Sequence, residues 1–178
     1  MRRCWASKID GSKLPIPDEG TFATSDDPIN GKTPPTLTGE GFAGQSVTVG
    51  PTTEPRIVIF LAHSCPHCQA EVPVIVELAE EGKLDGVVVQ AITTNTSEDA
   101  ANYPPSKWLK REDWPFKPVL LDDPKLRALI AFGAGSFPYM VFVASDGTVA
   151  GRWSGELGKA DLAEVARRLV AGEPLFEE

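Results

Sequence analysis

The sequence predicts an α/β fold, with a central mixed sheet flanked by helices, an N-terminal hairpin extension and a central insertion. First, an apolar β-branched run at 56–61, a helical pattern at 66–81 and a second apolar run at 86–92 together indicate a right-handed β-α-β unit. Second, Asp146-Gly147 between two apolar runs predicts an antiparallel hairpin. Third, an apolar stripe at helical spacing over 159–171 predicts a helix that covers the sheet.

The N-terminal part divides into a lead-in and a hairpin. Residues 1–36 are rich in proline and show no helical or strand periodicity, so we expect an extended lead-in before a domain that spans 37–178. Short apolar pieces separated by glycines at 37–49 predict a small hairpin. The run at 56–61 is apolar on both faces, which is typical of a central, fully buried strand.

The helix predicted at 66–81 contains a proline and ends at a glycine. Pro73 lies inside the helix, so we expect a kink there, and Gly82 is placed to end it. The strand predicted at 86–92 then completes the parallel unit.

Residues 93–118 are polar and rich in proline, which indicates an insertion. Asp122 or Asp123 is placed to cap a helix at 124–132, with proline in its tolerated first turn and Gly133 after its end. The other segments predicted in this half are a short amphipathic piece at 106–112 and strands at 118–121, 139–143 and 148–153.

The composition excludes some classes of function. A net charge of −8 argues against nucleic-acid binding, because affinity for phosphates depends on lysine and arginine. No stretch predicts a membrane span, since glycines and a proline break the longest uncharged run at 128–145. No apolar region follows the basic Met1-Arg2-Arg3, so we expect a signal peptide to be absent or already removed.

The three cysteines cannot form a framework of disulfides. Cys65 and Cys68 have C-x-x-C spacing, and Cys4 stands alone near the N-terminus, where a free thiol is the simplest interpretation and an anchor remnant or a redox partner are alternatives. The pair suits redox chemistry or a metal. A structural zinc would need two further ligands, and only His63, His67 and the distant Cys4 are available, so no metal and no cofactor are expected.

The spacing of Cys65-Pro66-His67-Cys68 places the first sulfur where a helix begins. At the N-cap, Cys65 lies near backbone N–H groups that have no intrahelical partner, and such groups stabilise a thiolate. Pro66 at the first helical position removes only an N–H that had no partner. Cys68 lies one turn deeper, so we predict that Cys65 is the attacking thiol and Cys68 the resolving thiol.

His67 is the residue most able to adjust this pair. The helix dipole contributes about 0.3 to 1 kcal/mol, less than the roughly 1.4 kcal/mol that changes a thiolate population tenfold. N–H bonds to the sulfur and a positive or donating His67 ring are therefore also needed. Because stabilising the thiolate favours the reduced form, we predict a pair that is more oxidising than one with glycine and proline between its cysteines.

The segments Phe60–Pro73 and Phe137–Val143, with Asp146-Gly147, resemble the TlpA/ResA branch of the thioredoxin superfamily. The similarity covers about residues 34–171, and its C-x-x-C-x-x-E-x-P motif is specific when a proline that leads into a strand follows downstream. The resemblance implies a thioredoxin fold and a thiol-disulfide oxidoreductase that acts on protein thiols or disulfides.

The resemblance also implies roles for three further residues. Pro138 would be cis and lie against the cysteine pair, and Phe137 would offer backbone groups to a substrate strand. Glu71 would assist proton transfer during exchange. The alternatives are an ordinary trans proline that opens an edge strand and a solvated surface glutamate.

Several positions depart from the family pattern. Ser64, preceded by His63, stands where the family usually has tryptophan, and Leu61 occupies another aromatic position. Ile59 replaces the buried acid of thioredoxins proper, so Glu71 would have to serve instead. C-P-H-C is typical of the oxidase DsbA, whose helical insertion is much longer, and the direction of electron flow therefore stays open.

Two other functions compete with this interpretation. A thiol peroxidase of the peroxiredoxin type shares the fold, but its signature needs proline and a hydroxyl residue where this chain has Val58 and Ala62. A non-enzymatic thioredoxin-fold metallochaperone or binding module would use the two cysteines and a histidine, yet no histidine follows His67.

The expected setting follows from the resemblance. We expect a monomer that exchanges electrons with protein thiols and an unidentified redox partner. The resemblance implies an extracytoplasmic location, in the periplasm or cell envelope, with membrane contact only through an anchor absent from this chain.

Overall fold

The computed structural model describes Ala6, residues 8–17 and residues 22–176. Among these residues, one sheet has five strands in the order β6-β5-β4-β7-β8, and a smaller sheet has three in the order β1-β2-β3. The strands are β1 (Lys8–Asp10), β2 (Thr36–Glu40), β3 (Ser46–Val49), β4 (Arg56–Leu61), β5 (Val88–Thr93), β6 (Leu120–Leu121), β7 (Tyr139–Val143) and β8 (Val149–Ser154). The helices are α1 (Pro66–Glu80), α2 (Pro105–Arg111), α3 (Arg127–Ala131) and α4 (Lys159–Ala171).

Strand β4 lies at the centre of the larger sheet and is buried along its whole length. Its side chains alternate between two apolar clusters, as the period of a strand requires. Ile57, Ile59 and Leu61 pack with α1 and α4, whereas Val58 and Phe60 pack with α3 on the opposite face. Parallel pairing to β5 and antiparallel pairing to β7 make the sheet mixed.

The predicted fold class is confirmed, since the structure has a mixed sheet flanked by helices, a hairpin at β2–β3 and an insertion that contains α2. The predicted helix at 159–171 is α4 over the same residues, and the hairpin at Asp146-Gly147 joins β7 to β8. Strand β5 begins two residues later than predicted, because Gly86 has a left-handed φ of 85° in the preceding turn.

The helix predicted at 124–132 is shorter and begins later, at Arg127. Residues 123–126 form a turn in which the Leu126 N–H donates to Asp123 O, and Leu126 itself has a left-handed φ of 56°. Asp122 still stabilises the start of α3, because its carboxylate accepts the N–H groups of Ala128 and Leu129. The sequence predicted Asp122 or Asp123 as a cap directly before the helix, whereas Asp122 binds the first turn of α3 from several residues before its start.

We predicted a lead-in without strands. This prediction is wrong at one place, because Lys8–Asp10 pairs antiparallel with β2. Three residues is too short for a period to be visible in the sequence. Ala6, Leu14 and Ile29 of the lead-in are buried in the cluster on the α3 face. The domain boundary at residue 36 stays a prediction, and so does the kink at Pro73.

Within the described part of the chain, every helix is too short or too polar to cross a lipid bilayer.

Candidate active site

Cys65 occupies the N-cap position of α1, as predicted. It has extended backbone geometry and is partly exposed, and its carbonyl accepts the N–H of Gln69 to begin the helix. Pro66 follows at the first helical position. The Cys65 thiol donates to the carbonyl of Phe137 at 3.6 Å and makes no capping bond to the first turn. One sulfur is thus presented at the mouth of a helix.

Cys68 is fully buried on the inner face of the same helix. Its sulfur accepts the N–H of Ala62 at 3.3 Å. Burial raises the pKa of the Cys68 thiol, and the neighbouring Cys65 and Glu71 raise it further. Both cysteines are free thiols, and they lie close enough to interact. Cys68 is therefore shielded from solvent, with the Cys65 sulfur as a neighbour.

Phe137 and Pro138 approach the pair from the opposite side of the site, immediately before β7. The Phe137–Pro138 peptide bond is cis, as the resemblance implies, and the alternative of an ordinary trans proline is wrong. The Phe137 carbonyl already contacts the Cys65 sulfur. Phe137 is partly exposed beside the partly exposed Cys65 thiol, whereas Pro138 is buried.

Glu71 is buried beneath the cysteines, only 1% exposed, so the alternative of a solvated surface glutamate is wrong. Its Oε2 accepts the N–H of Leu157 at 3.0 Å, whereas Oε1 is buried without a hydrogen-bond partner. Burial raises the pKa of Glu71 from 4.5 to about 7, the Leu157 bond opposes this rise, and the charge of Glu156 adds to it. The carboxyl can therefore gain or lose a proton near neutral pH.

His67 projects away from the core and its side chain is 70% exposed. Its Nδ1 lies 2.6 Å from Oε1 of Glu156. Glu156 is its one hydrogen-bond partner among the described residues, and sequence reasoning did not single out this glutamate. Glu156 contacts His67 from 89 positions away along the chain and Leu157 contacts Glu71 from 86 positions away, so no local pattern marks them.

His63, considered in the sequence as an available zinc ligand and as a departure from the family pattern, is fully buried. Its Nε2 accepts the N–H of Ser97 at 3.2 Å and its Nδ1 lies 2.6 Å from Ala101 O, which requires the proton on Nδ1. Its carbonyl accepts the side-chain amides of Gln69 and Asn102. Through these hydrogen bonds, His63 connects the insertion to the first turns of α1.

No cluster of three or more histidine, cysteine or acidic side chains suited to a metal ion occurs in the part of the chain that the structure covers. Cys4, the third cysteine, lies outside the described residues.

Comparisons with known proteins agree with this architecture. The sequence profile of the AhpC/TSA family matches residues 31–152, which include β4, the cysteine pair, Pro138 and most of β8. A search of curated protein sequences finds no significant match.

Solved structures with the same fold are similar to most of the chain. The thioredoxin domain of a thiol-disulfide oxidoreductase from Bacteroides vulgatus is 20% identical, with a TM-score of 0.63 over 79% of this chain and 97% of that one. A thioredoxin-family thiol:disulfide interchange protein from Chlorobium tepidum is 22% identical, with a TM-score of 0.64 over 78% and 96%. StoA from Bacillus subtilis is 18% identical, with a TM-score of 0.57 over 70% and 91%.

At these identities the structural neighbours establish the thioredoxin fold, and the profile, which spans more than half of the chain, establishes the family. A partly exposed thiol at a helix N-cap, with a buried thiol one turn deeper, agrees with both. The chain therefore belongs to the AhpC/TSA family and is a thioredoxin-like oxidoreductase.

Proposed function

We propose that this protein exchanges disulfides with protein thiols through Cys65 and Cys68. The observation that carries the proposal is the asymmetry of the pair. Cys65 is partly exposed at the N-cap and lies against the Phe137 carbonyl, whereas Cys68 is buried beneath it. One sulfur is accessible to a macromolecule and the other only to its neighbour.

The exchange proceeds in two balanced steps. The Cys65 thiolate attacks a substrate disulfide, forms a mixed disulfide and releases one substrate thiolate. Cys68 then loses its proton and attacks the Cys65 sulfur, which closes the Cys65–Cys68 disulfide and releases the second substrate thiol. Two electrons pass to the substrate, and the reverse sequence oxidises a substrate dithiol.

Glu71 is the proposed acceptor of the Cys68 proton. The buried thiol must be deprotonated before it can attack, and burial raises its pKa. Glu71 is buried on the same helix face, has a free Oε1, and has a pKa raised to about 7. Phe137 and Pro138 are the proposed contact for the substrate backbone, and Pro66 and His67 set the reactivity of Cys65.

Equilibration with glutathione tests the proposal directly. In mixtures of reduced and oxidised glutathione, the protein should lose two thiols together, and peptide mapping should recover Cys65 linked to Cys68. The oxidised protein should then transfer its disulfide to a reduced, unfolded protein. A protein that retains both thiols under oxidised glutathione would contradict the assignment.

Glu71→Gln is expected to slow closure of the disulfide by about tenfold or more, because positioned acid–base groups contribute roughly 10²- to 10⁴-fold. The wild-type rate should rise with pH through about 7 as Glu71 ionises, and this inflection should be absent from the variant. Rapid-mixing measurements of mixed-disulfide decay at several pH values provide the test. Glu80→Gln, an exposed glutamate on the same helix, is the matched control.

The same substitution has a predicted effect on stability. The pKa of Glu71 is raised from 4.5 to about 7 on folding, so its contribution to stability is fully present below pH 4.5 and is lost as the pH rises through 7. Glu71→Gln should therefore be more stable than wild type in urea at pH 8 and closest to it at pH 4. An equal difference at both pH values would contradict a buried, titrating carboxyl.

Thiol peroxidase activity is a second candidate, favoured by the AhpC/TSA profile match. In that reaction the Cys65 thiolate would attack the O–O bond of a peroxide, taking one oxygen as a sulfenic acid and releasing the other as water or an alcohol. The Cys68 thiol would then attack the Cys65 sulfur, which closes the disulfide and releases water. Val58 and Ala62 lack the proline and hydroxyl of the peroxiredoxin signature, and both side chains are buried. Hydrogen peroxide consumption that requires Cys65 would favour this candidate over disulfide exchange.

The proposed setting is extracytoplasmic, in the periplasm or cell envelope, as the TlpA/ResA resemblance implies. The proposed substrates are protein thiols and disulfides, and a separate redox partner would restore the active state. We propose that the protein acts as a monomer.

A further inference from the structure

One hydrogen bond at the candidate active site joins two segments that are far apart in the sequence. The His67 ring, in the first turn of α1, approaches the carboxylate of Glu156, in the loop between β8 and α4, to 2.6 Å. The two residues are 89 positions apart. His67 is the variable residue between the cysteines, so whatever holds its ring also affects the chemistry of the pair.

The peptide unit that joins Glu156 to Leu157 is hydrogen-bonded at both of its polar groups. The Glu156 carbonyl accepts the indole N–H of Trp153 at 3.0 Å. The next residue, Leu157, is buried and donates its N–H to Glu71. These hydrogen bonds fix the backbone at the residue whose carboxylate contacts His67.

The ring has a competing acceptor in the same region. A single N–H donates fully to one acceptor, and a carboxylate is a stronger acceptor than a neutral thiol. In the structure the His67 Nδ1 is directed to Glu156, whereas the Cys65 sulfur is directed to Phe137 O. The ring N–H that His67 could offer to a thiolate is thus already donated to Glu156.

We propose that Glu156 is a positioning residue that holds the His67 ring away from the Cys65 sulfur and so limits the oxidising strength of the pair. The inference rests on the proposed disulfide exchange. The contact with Glu156 distinguishes this C-P-H-C pair from one whose histidine can donate to the thiolate without a competing carboxylate.

The sign of the effect follows from the equilibrium with glutathione. The Cys65–Cys68 disulfide and two glutathione thiols give the dithiol and oxidised glutathione, and a stabilised Cys65 thiolate shifts this equilibrium towards the dithiol. Glu156→Gln replaces the charged acceptor by a neutral amide. The Cys65 thiolate is then the charged acceptor left in this region for the ring N–H.

The substitution Glu156→Gln should therefore make the pair more oxidising. The expected rise in the equilibrium constant is about three- to tenfold, or about 14 to 30 mV for a two-electron couple. The effect is modest because both side chains are largely exposed to water.

A double-mutant cycle with His67→Ala tests whether Glu156 acts through the histidine. Glutathione equilibrium constants are measured for wild type, Glu156→Gln, His67→Ala and the double variant. Glu156→Gln should change the constant less than 1.5-fold in the His67→Ala background. Glu156→Asp, which keeps the carboxylate, should remain within about twofold of wild type, and Asp161→Asn controls for loss of one exposed acid on the adjacent helix α4.

The outcomes separate cleanly. An equal shift with and without His67 would show that Glu156 acts only as a nearby charge and would overturn the inference, as would no shift or a shift towards a more reducing pair. A wild-type protein that forms no Cys65–Cys68 disulfide would overturn the proposed function and the inference together. A normal wild-type equilibrium with no effect of Glu156→Gln would remove the inference alone.

Discussion

Cys65→Ser is expected to reduce the rate of insulin disulfide reduction to the uncatalysed background, a loss of at least about 100-fold, because Cys65 is the thiol proposed to attack the substrate disulfide. The partial exposure of Cys65 at the N-cap and the burial of Cys68 are the physical reason. Cys68 cannot replace the missing thiol, since a protein disulfide cannot reach it. Precipitation of reduced insulin, followed by turbidity with dithiothreitol as the reductant, measures the rate.

Cys68→Ser should fail at a different step. The exposed thiol can still attack, but the mixed disulfide between Cys65 and its substrate then has no internal thiol to resolve it. Non-reducing electrophoresis and mass spectrometry should detect this trapped adduct, and Cys65→Ser should not form it. Cys4→Ser controls for the third thiol. Retention of turnover by Cys65→Ser, or an adduct on Cys68, would contradict the assigned order of attack.

Asp27→Asn is expected to lower the free energy of unfolding by about 3 to 5 kcal/mol, because removing one partner of a buried ion pair leaves an uncompensated charge. Asp27 and Arg152 are both 0% exposed. The guanidinium donates two hydrogen bonds, of 2.8 and 2.7 Å, to the two carboxylate oxygens, and a third, of 2.6 Å, to Pro15 O. This pair attaches the lead-in to β8, and its loss is large against the roughly 5 to 15 kcal/mol that stabilises a typical domain.

Urea unfolding followed by tryptophan fluorescence measures the loss. Asp10→Asn is the matched control, because Asp10 also lies in the lead-in and forms an ion pair with Lys8, but both side chains are more than half exposed. Its expected cost is about 0 to 1 kcal/mol. A similar small cost for Asp27→Asn would contradict a charge-paired attachment of the lead-in.

The attachment of the lead-in also bears on the proposed active site. Arg152 lies in β8, and the loop after β8 carries Glu156 and Leu157 to the cysteine pair. A weakened attachment of β8 should therefore change both stability and the glutathione equilibrium. Thiol titration of Asp27→Asn at low urea concentrations would show whether the two effects occur together.

Much of the fold was predictable because its signals are local. The apolar run of β4, the helical pattern of α1 and the stripe of α4 each lie within one segment, and each appears where predicted. The start of α3 was misplaced because the structure selects a turn after Asp123 instead of continuing the helix from Pro124. Strand β1 was missed because its partner, β2, is remote in sequence.

The position of the cysteine pair could be predicted from its own segment, because a cysteine followed by proline at the end of a buried strand needs only its neighbours to begin a helix with a partly exposed thiol. The surroundings of that thiol depend on tertiary contacts. The burial of Glu71, the contact of His67 with Glu156 and the pairing of Asp27 with Arg152 join residues 86, 89 and 125 positions apart. Charged residues at such separations carry no local period, so their partners are set only when strands and loops assemble.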